Sequence, residues 1–324
     1  MIRELTVLIT QSTDPWRNLA LEEYLLDSVT PGSCTLYLWQ NRRTVVLGRN
    51  QNADNECALP LLLSDGGKAA RRLSGGGAVY HDLGNLNFTF LLPSEDFDTD
   101  RQNQVLITAL RQFGIQAEQS GRNDLTADGR KFSGQAFYRT GGRSYHHGTL
   151  MVDVDRDQMA RYLNVSPLKL KAKGVSSVRS RVINLIDLNP SLTVPDLRQA
   201  LVAAFEDTFG LNAHVMPEAE IDERQLAPYI KKFSSPEWIY RESHPAQYSR
   251  QARFFWGTVR LDFSVRDDVL TDPALWSDGL EADFLEQVPA LLTDVPAKPD
   301  AVRQALEDAG GGSAMAADIA SMLI

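Results

Sequence analysis

The chain has 324 residues, of which 43% are hydrophobic and 23% charged, with a net charge of −9. That length allows one large domain or two unequal ones, and the composition is that of an ordinary globular fold. The acidic balance argues against a general nucleic-acid binder, and no apolar run approaches the ~20 residues of a membrane span.

Leu5 to Thr10 is a short apolar run that predicts a strand. Asp14-Pro15 resembles a helix start, with Asp as cap and Pro at the first helical position. Leu19, Ala20, Tyr24 and Leu25 follow at helical spacing. Strands are predicted over Thr35–Gln40 and Thr44–Gly48, then a polar entry and a short helix over 51–65. Lys68 to Leu73 leads into a glycine loop. Ala78–Tyr80 and Leu86–Leu92 are further strands. A helix over about 100–113 buries Val105, Leu106, Leu110 and Phe113. Short strands and Gly-rich turns fill 116–152, and Asp155–Leu163 predicts another helix. Val194 to Phe209 predicts a long helix, capped by Thr193 and stopped by Gly210. Pro217 opens a helix to about Lys232, and 234–250 has the Pro-rich polar character of a linker. Arg253–Phe263 and Val265–Leu270 predict two strands, and helices follow at about 280–290, 298–308 and 313–323. Gly310-Gly311-Gly312 has no neighbouring arginine and reads as a helix break. A strand-rich middle with helices at both flanks predicts an α+β fold.

The unusual stretch is Arg71-Arg72-Leu73-Ser74-Gly75-Gly76-Gly77-Ala78-Val79-Tyr80-His81-Asp82. Three adjacent glycines are entropically costly in a folded domain. They let a ligand approach the backbone, and successive N–H groups in such a loop converge on an anion. Two preceding arginines supply charge suited to phosphate. The alternative from these residues alone is a tight turn with solvated arginines. No GK[ST] follows, so this is not a P-loop, and G-x-G-x-x-G is absent.

This stretch resembles the lipoate–protein ligase signature R-R-x-S-G-G-G-A-V-[FY]-H-D. Further matches follow in order: Gly121-Arg122-Asn123-Asp124-Leu125, Arg130-Lys131-Phe132-Ser133-Gly134, His146-His147-Gly148-Thr149-Leu150 and Lys173 to Arg181. Asp14 to Ala20 also resembles the family. The resemblance spans roughly residues 1–245, with a weaker trace beyond. It implies a mixed-sheet catalytic domain with flanking helices, of the biotin and lipoate ligase type, over 1–245. A small α+β accessory domain over 251–324 follows, as in the family's long form.

The implied chemistry is ATP-dependent. Lipoate attacks the α-phosphate of ATP, giving lipoyl-AMP and pyrophosphate, and a lysine of a lipoyl domain then displaces AMP. By resemblance, Lys131 is the catalytic lysine, bridging the lipoyl carbonyl oxygen and the α-phosphate. Arg72 and Gly77, Ala78, Val79 and Tyr80 contact the nucleotide. Ser74, Gly75 and Gly76 face the lipoyl carboxyl end. Asn123 and Asp124 are candidates for phosphate and Mg²⁺ handling, since Mg²⁺ takes one or two carboxylates with phosphate oxygens. An Asx-turn remains the alternative for Asp124. Trp16, Leu19, Val45, Val46 and Leu47 are candidate walls of an apolar tunnel, or plain core residues.

His146 and His147 are adjacent, so a strand would turn them to opposite faces, against a shared metal. Lys169 to Arg181 carries five cations and no acid. It is either a solvated charge run or a loop that closes over the adenylate. The implied acceptors are acyltransferase subunits of 2-oxoacid dehydrogenases and the glycine cleavage H protein, with a monomeric ligase.

One rival is an octanoyl or lipoyl transferase of the same fold, working through a cysteine thioester. The only cysteines, Cys34 and Cys57, precede the lysine motif and have no metal or disulfide spacing. The other rival is a non-catalytic lipoate or acyl-adenylate binder. Met1-Ile2-Arg3-Glu4 lacks the apolar run of a signal peptide, so a cytoplasmic location is expected.

Overall fold

The computed structural model describes residues 1–121, 123–164, 182–241 and 245–323. In chain order, the first elements are β1 (Glu4–Ile9), α1 (Pro15–Asp27), β2 (Ser33–Trp39), β3 (Thr44–Leu47), α2 (Ala53–Glu56) and α3 (Leu59–Ser64). Then come β4 (Lys68–Arg71), β5 (Val79–His81), β6 (Asn85–Pro93), α4 (Thr99–Arg111), β7 (Glu118–Ser120), β8 (Asp124–Ala127), β9 (Arg130–Thr140) and β10 (Arg143–Met151). The series continues with α5 (Arg156–Tyr162), α6 (Val194–Phe209), β11 (Ala213–Met216), α7 (Glu223–Ser234) and α8 (Pro236–Tyr240). It closes with β12 (Tyr248–Arg253), β13 (Thr258–Arg266), β14 (Val269–Ser277), α9 (Ala282–Leu292), α10 (Pro299–Asp308) and α11 (Ser313–Ala320).

An eight-stranded mixed sheet, in the order β11-β1-β2-β6-β10-β9-β8-β7, forms the backbone of the fold. β11, β1 and β2 run parallel, and the strands from β2 to β7 pair antiparallel. Strand alternation divides its side chains between two cores. Leu36, Leu38, Phe88 and Phe90 face α4 and α6, meeting Val105, Leu106, Leu201 and Phe205. Tyr37, Trp39 and Leu91 face the other way, towards Leu19 and Leu26 of α1 and Leu226 and Phe233 of α7. A small sheet, β4-β3-β5, lies on this second side. The fold is thus the mixed α+β arrangement expected from the sequence.

Local chemistry explains where the helices begin. Asp14 accepts from the N–H groups of Trp16 (2.9 Å) and Arg17 (3.3 Å), and Pro15 follows at the first helical position. Thr193 caps α6, and Gly210 ends it in the left-handed region at φ 68°.

Three details differ from the sequence expectation. Pro217 is extended and does not open α7. Asp222 is the cap, while the carboxylate of Glu218 is drawn off to Thr10 Oγ1 (2.7 Å) and the Gln11 N–H (3.0 Å). The stretch from 234 contains α8, capped by Ser235, whose Trp238 indole donates to the Arg71 carbonyl at 2.8 Å. The C-terminal sheet has three strands, β12-β13-β14, because the bend at Phe254–Gly257 divides what reads as one strand. This sheet and α9 to α11 enclose their own core of Val259, Leu261, Leu285, Val288, Val302 and Ile319.

Arg71 ties these pieces together. It is wholly buried, and its guanidinium donates to the carbonyl oxygens of Gly48, Arg49, Gln51, Trp238 and Ile239 at 2.7–3.0 Å. Arg71→Met keeps the stem and leaves those carbonyls without this donor. It should destabilise the fold by about 3 kcal/mol and lower Tm by roughly 5–10 °C, measured by thermal denaturation.

Candidate active site

A cavity of about 460 Å³ opens between the two sheets and the C-terminal unit. Its floor follows from strand register. Trp39 on β2 pairs with Asn87 on β6, and Asn87 pairs with Thr149 on β10. The Thr149 hydroxyl accepts from the Gly134 N–H of β9 at 3.2 Å. Leu19, Val46, Met151 and Met159 add apolar wall. Arg253, Phe255, Trp256, Gly257, Asp278 and Leu280 close the C-terminal side.

The glycine loop enters this cavity under the control of Arg72. The Arg72 side chain is buried and donates to the carbonyls of Val46 (3.2 Å), Gly75 (2.6 Å) and Gly77 (2.8 Å), and to Ser74 Oγ (3.0 Å). Burial lowers its pKa to about 10, and that of Arg71 to about 9, so both stay charged at neutral pH. A turn with solvated arginines is therefore excluded. Gly75 backs onto the C-terminal unit so closely that a Cβ would stand 2.1 Å from the Gly279 carbonyl oxygen. The Gly76 N–H donates to that same oxygen at 3.2 Å.

Lys131 and Asp124 lie together on the β8–β9 hairpin, Nζ to Oδ1 at 2.6 Å. The ammonium is folded back over Gly134, where a Cβ would stand 2.7 Å from Nζ. Any larger residue at 134 would push the lysine away. Asn123 uses its side-chain N–H on the Gln135 carbonyl (2.8 Å), which fixes the hairpin. Among the described residues, no group of three or more His, Cys, Asp or Glu side chains is arranged to hold a metal ion.

His146 and His147 point to opposite faces, as adjacency on a strand requires. His146 Nδ1 lies 2.8 Å from Gln102 Oε1 on the α4 side, among Phe88, Phe90 and Phe137. His147 lines the cavity and sits between two buried partners. Its Nδ1 is 2.8 Å from Glu22 Oε1, and its Nε2 is 2.7 Å from Ser74 Oγ. Glu22 also accepts from Thr89 Oγ1 at 2.7 Å, and Thr89 in turn accepts from the Trp39 indole at 3.1 Å. This chain of contacts closes the deep end of the cavity.

Of the residues singled out in the sequence, Arg72, Gly76, Gly77, Ala78, Val79, Tyr80, Asn123, Asp124 and Lys131 line the one cavity. Ser74 is buried behind His147, and Gly75 is covered by Gly279. Leu19 and Val46 are wall residues, whereas Trp16, Val45 and Leu47 are packed elsewhere. The segment from Lys169 to Arg181 lies outside the described residues. Sequence reasoning missed Glu22, Asn85, Asn87, Thr149 and the C-terminal lining. Helical spacing groups Glu22 with Glu23 and Asp27 on the side of α1 away from the apolar face, but Glu22 is buried, because Thr89 and His147 bind its carboxylate there.

Fold and cavity together set a glycine loop and a lysine–aspartate pair on the walls of one cavity, the kind of site a ligand-binding enzyme carries. The chain belongs to the lipoyl protein ligase A/B catalytic domain family, whose profile matches residues 14–206, and a bacterial lipoate protein ligase C-terminal profile matches 243–323. It is 39% identical over 300 residues to a lipoate-protein ligase A of Psychrobacter cryohalolentis, covering 90% of this chain and 88% of that one. The crystal structure of P. falciparum LipL1 in complex with lipoate superposes with a TM-score of 0.86, 26% identity and 98% coverage of both chains. A lipoate-protein ligase A bound with ATP gives a TM-score of 0.63 and 28% identity, over 74% of this chain and 99% of that one. The chain is accordingly a lipoate–protein ligase.

The buried histidines contribute to the acid sensitivity of the fold. Burial lowers the pKa of both His81 and His146 to about 3. The unfolded chain therefore binds more protons than the native one between about pH 6.5 and 3, so stability falls as pH falls through that window. His146→Phe, followed by urea titration across this range, should flatten the slope by up to one proton.

Proposed function

We propose that the enzyme activates free lipoate with ATP, forming lipoyl-AMP and pyrophosphate, and then transfers the lipoyl group to a lysine of a lipoyl domain. The observation that carries this reading is Lys131. Its ammonium is held by Asp124 at the edge of a cavity that also contains the loop from Gly76 to Tyr80.

A carboxylate is a poor electrophile, so it must first become an anhydride. Its oxygen attacks the α-phosphorus, and the bond to the β-phosphate oxygen breaks. The acceptor amine then attacks the acyl carbon, loses a proton, and the carbon–oxygen bond to AMP breaks. Both steps build negative charge on oxygen, where a fixed cation acts strongly once bound substrate displaces water. Lys131 supplies that cation between the acyl oxygen and the α-phosphate. The carbonyl contacts of Arg72 hold the loop from Gly75 to Gly77 in shape, and Ala78, Val79 and Tyr80 present backbone to the nucleotide. Ser74 acts from behind His147, at the lipoate side.

Asp124, with Asn123 beside it, has the single carboxylate that suits Mg²⁺ sharing phosphate oxygens. The ion would neutralise phosphate charge when bound. Residues 1–245 form the catalytic domain in this reading, and 251–324 the accessory domain. The acceptors are lipoyl domains of 2-oxoacid dehydrogenase acyltransferases and the glycine cleavage H protein, met in the cytoplasm by a monomeric ligase. A thioester route is disfavoured. Neither cysteine lines the cavity, both are buried, and burial raises both thiol pKa values, that of Cys57 to about 11.

Lipoate-dependent pyrophosphate release from ATP and Mg²⁺ tests the reading. Wild type should release it, and Lys131→Ala should lose on the order of 10²–10³ in kcat. A well-folded wild type that releases none would be a binding protein or a transferase instead.

A further inference from the structure

Buried polar groups are almost always hydrogen-bonded, so an orphan aimed into a cavity points to a ligand atom. Among the described residues, three such atoms belong to side chains that line this cavity: His81 Nε2, Asn85 Oδ1 and Asn87 Nδ2. All three side chains are at least 97% buried. Asn85 Nδ2 donates to Asn87 Oδ1 at 2.9 Å, which turns the Asn87 N–H groups inward. His81 is a neutral donor at the same place. Asn41 Nδ2 lies 3.2 Å from its Nδ1, while Asn41 Oδ1 is occupied by Asn18, so the ring proton sits on Nε2. The His81 ring packs edge-on to Trp39, the register partner of Asn87.

Register then fixes what Asn87 faces. Its neighbour on β10 is Thr149, whose hydroxyl takes the Gly134 N–H, and the Lys131 ammonium lies over Gly134. Asn87 and Gly134 therefore stand on one cross-strand row, two strand spacings or about 10 Å apart at the backbone. The Lys131 ammonium reaches back to that row from three residues along β9, so it and the Asn87 side chain flank the space between.

We propose that Asn87 is a further catalytic residue: its side-chain N–H donates to an oxygen of the acyl-phosphate group held opposite Lys131. This rests on the adenylation reading above. The oxygen is either a phosphoryl oxygen, which gains charge as the carboxylate attacks phosphorus, or the acyl oxygen, which the donor orients for that attack and which gains charge when the amine adds. A neutral donor there adds stabilisation as charge develops, without competing with Lys131 for Asp124.

The test is Asn87→Asp, which keeps the acceptor for Asn85 and the side-chain size but removes the donor. Lipoate-dependent pyrophosphate release should fall about 10²-fold in kcat, with the KM values for ATP and lipoate within about threefold. Its activity relative to wild type should rise as pH is lowered from 8 to 5.5, because a protonated carboxyl donates. Asn87→Ala should fall equally and show no such recovery. Transfer from preformed lipoyl-AMP to an apo lipoyl domain separates the two oxygens. A loss there as well assigns the acyl carbonyl, and a loss confined to adenylation assigns the phosphoryl oxygen. A working wild type beside an Asn87→Asp enzyme within threefold of it, or changed only in KM, overturns the proposal. A wild type with no release removes the adenylation reading and this proposal with it.

Discussion

Two guanidinium groups taken out of water hold the catalytic half of this molecule in shape. Arg71 gathers the carbonyls of residues 48, 49, 51, 238 and 239, and Arg72 those of 46, 75 and 77. Dehydrating a charge is costly, and neutral carbonyl dipoles offset that cost only when several converge. The arrangement is therefore all-or-none. Moving any one of these strands away would leave a buried charge under-solvated, so the small sheet, α8 and the glycine loop keep one geometry.

The cavity built on this frame separates its charges from its neutral groups. Lys131 and Asp124 occupy the β8–β9 edge. Uncharged donors and acceptors, from His81, Asn85, Asn87 and Thr149, line the floor. Such a floor can bind oxygen and nitrogen atoms without drawing in a counter-ion. The C-terminal unit supplies wall as well as cover. Arg49 pairs with Glu286 and lies 3.4 Å from Asp283, and Arg241 reaches Glu286 at 3.3 Å. These ion pairs span the junction near the point where Gly76 meets Gly279.

Much of this was legible where the signal is local. Asp14-Pro15 and Thr193 with Gly210 are chemical marks of helix ends, and α1 and α6 obey them within a residue. Of the motif residues, Arg72, Gly76 to Tyr80, Asn123, Asp124 and Lys131 line one cavity, while Ser74 and Gly75 lie behind it. What escaped was whatever depends on a distant partner. β11 is four residues with two exposed side chains, and only its parallel pairing with β1 makes it a strand. The glycine run was conspicuous, but the reason for its first glycine is a carbonyl two hundred residues away. Asn87 carries no local pattern at all. Its interest comes from a register partner and a missing hydrogen bond.

The meeting of Gly76 with Gly279 has a consequence for how the protein is made. A ribosome adding roughly 5–20 residues per second needs on the order of 10–40 s to pass from the glycine loop to its far partner. During that interval the loop has its arginines but not its backstop, and until residue 216 is made β1 lacks its outer neighbour β11. The nascent chain must wait with an unfinished pocket and an open sheet edge, both of which invite wrong pairings. Chaperone demand should accordingly be concentrated in the second half of synthesis, and a chain stopped before residue 279 would carry every motif residue without a complete cavity wall.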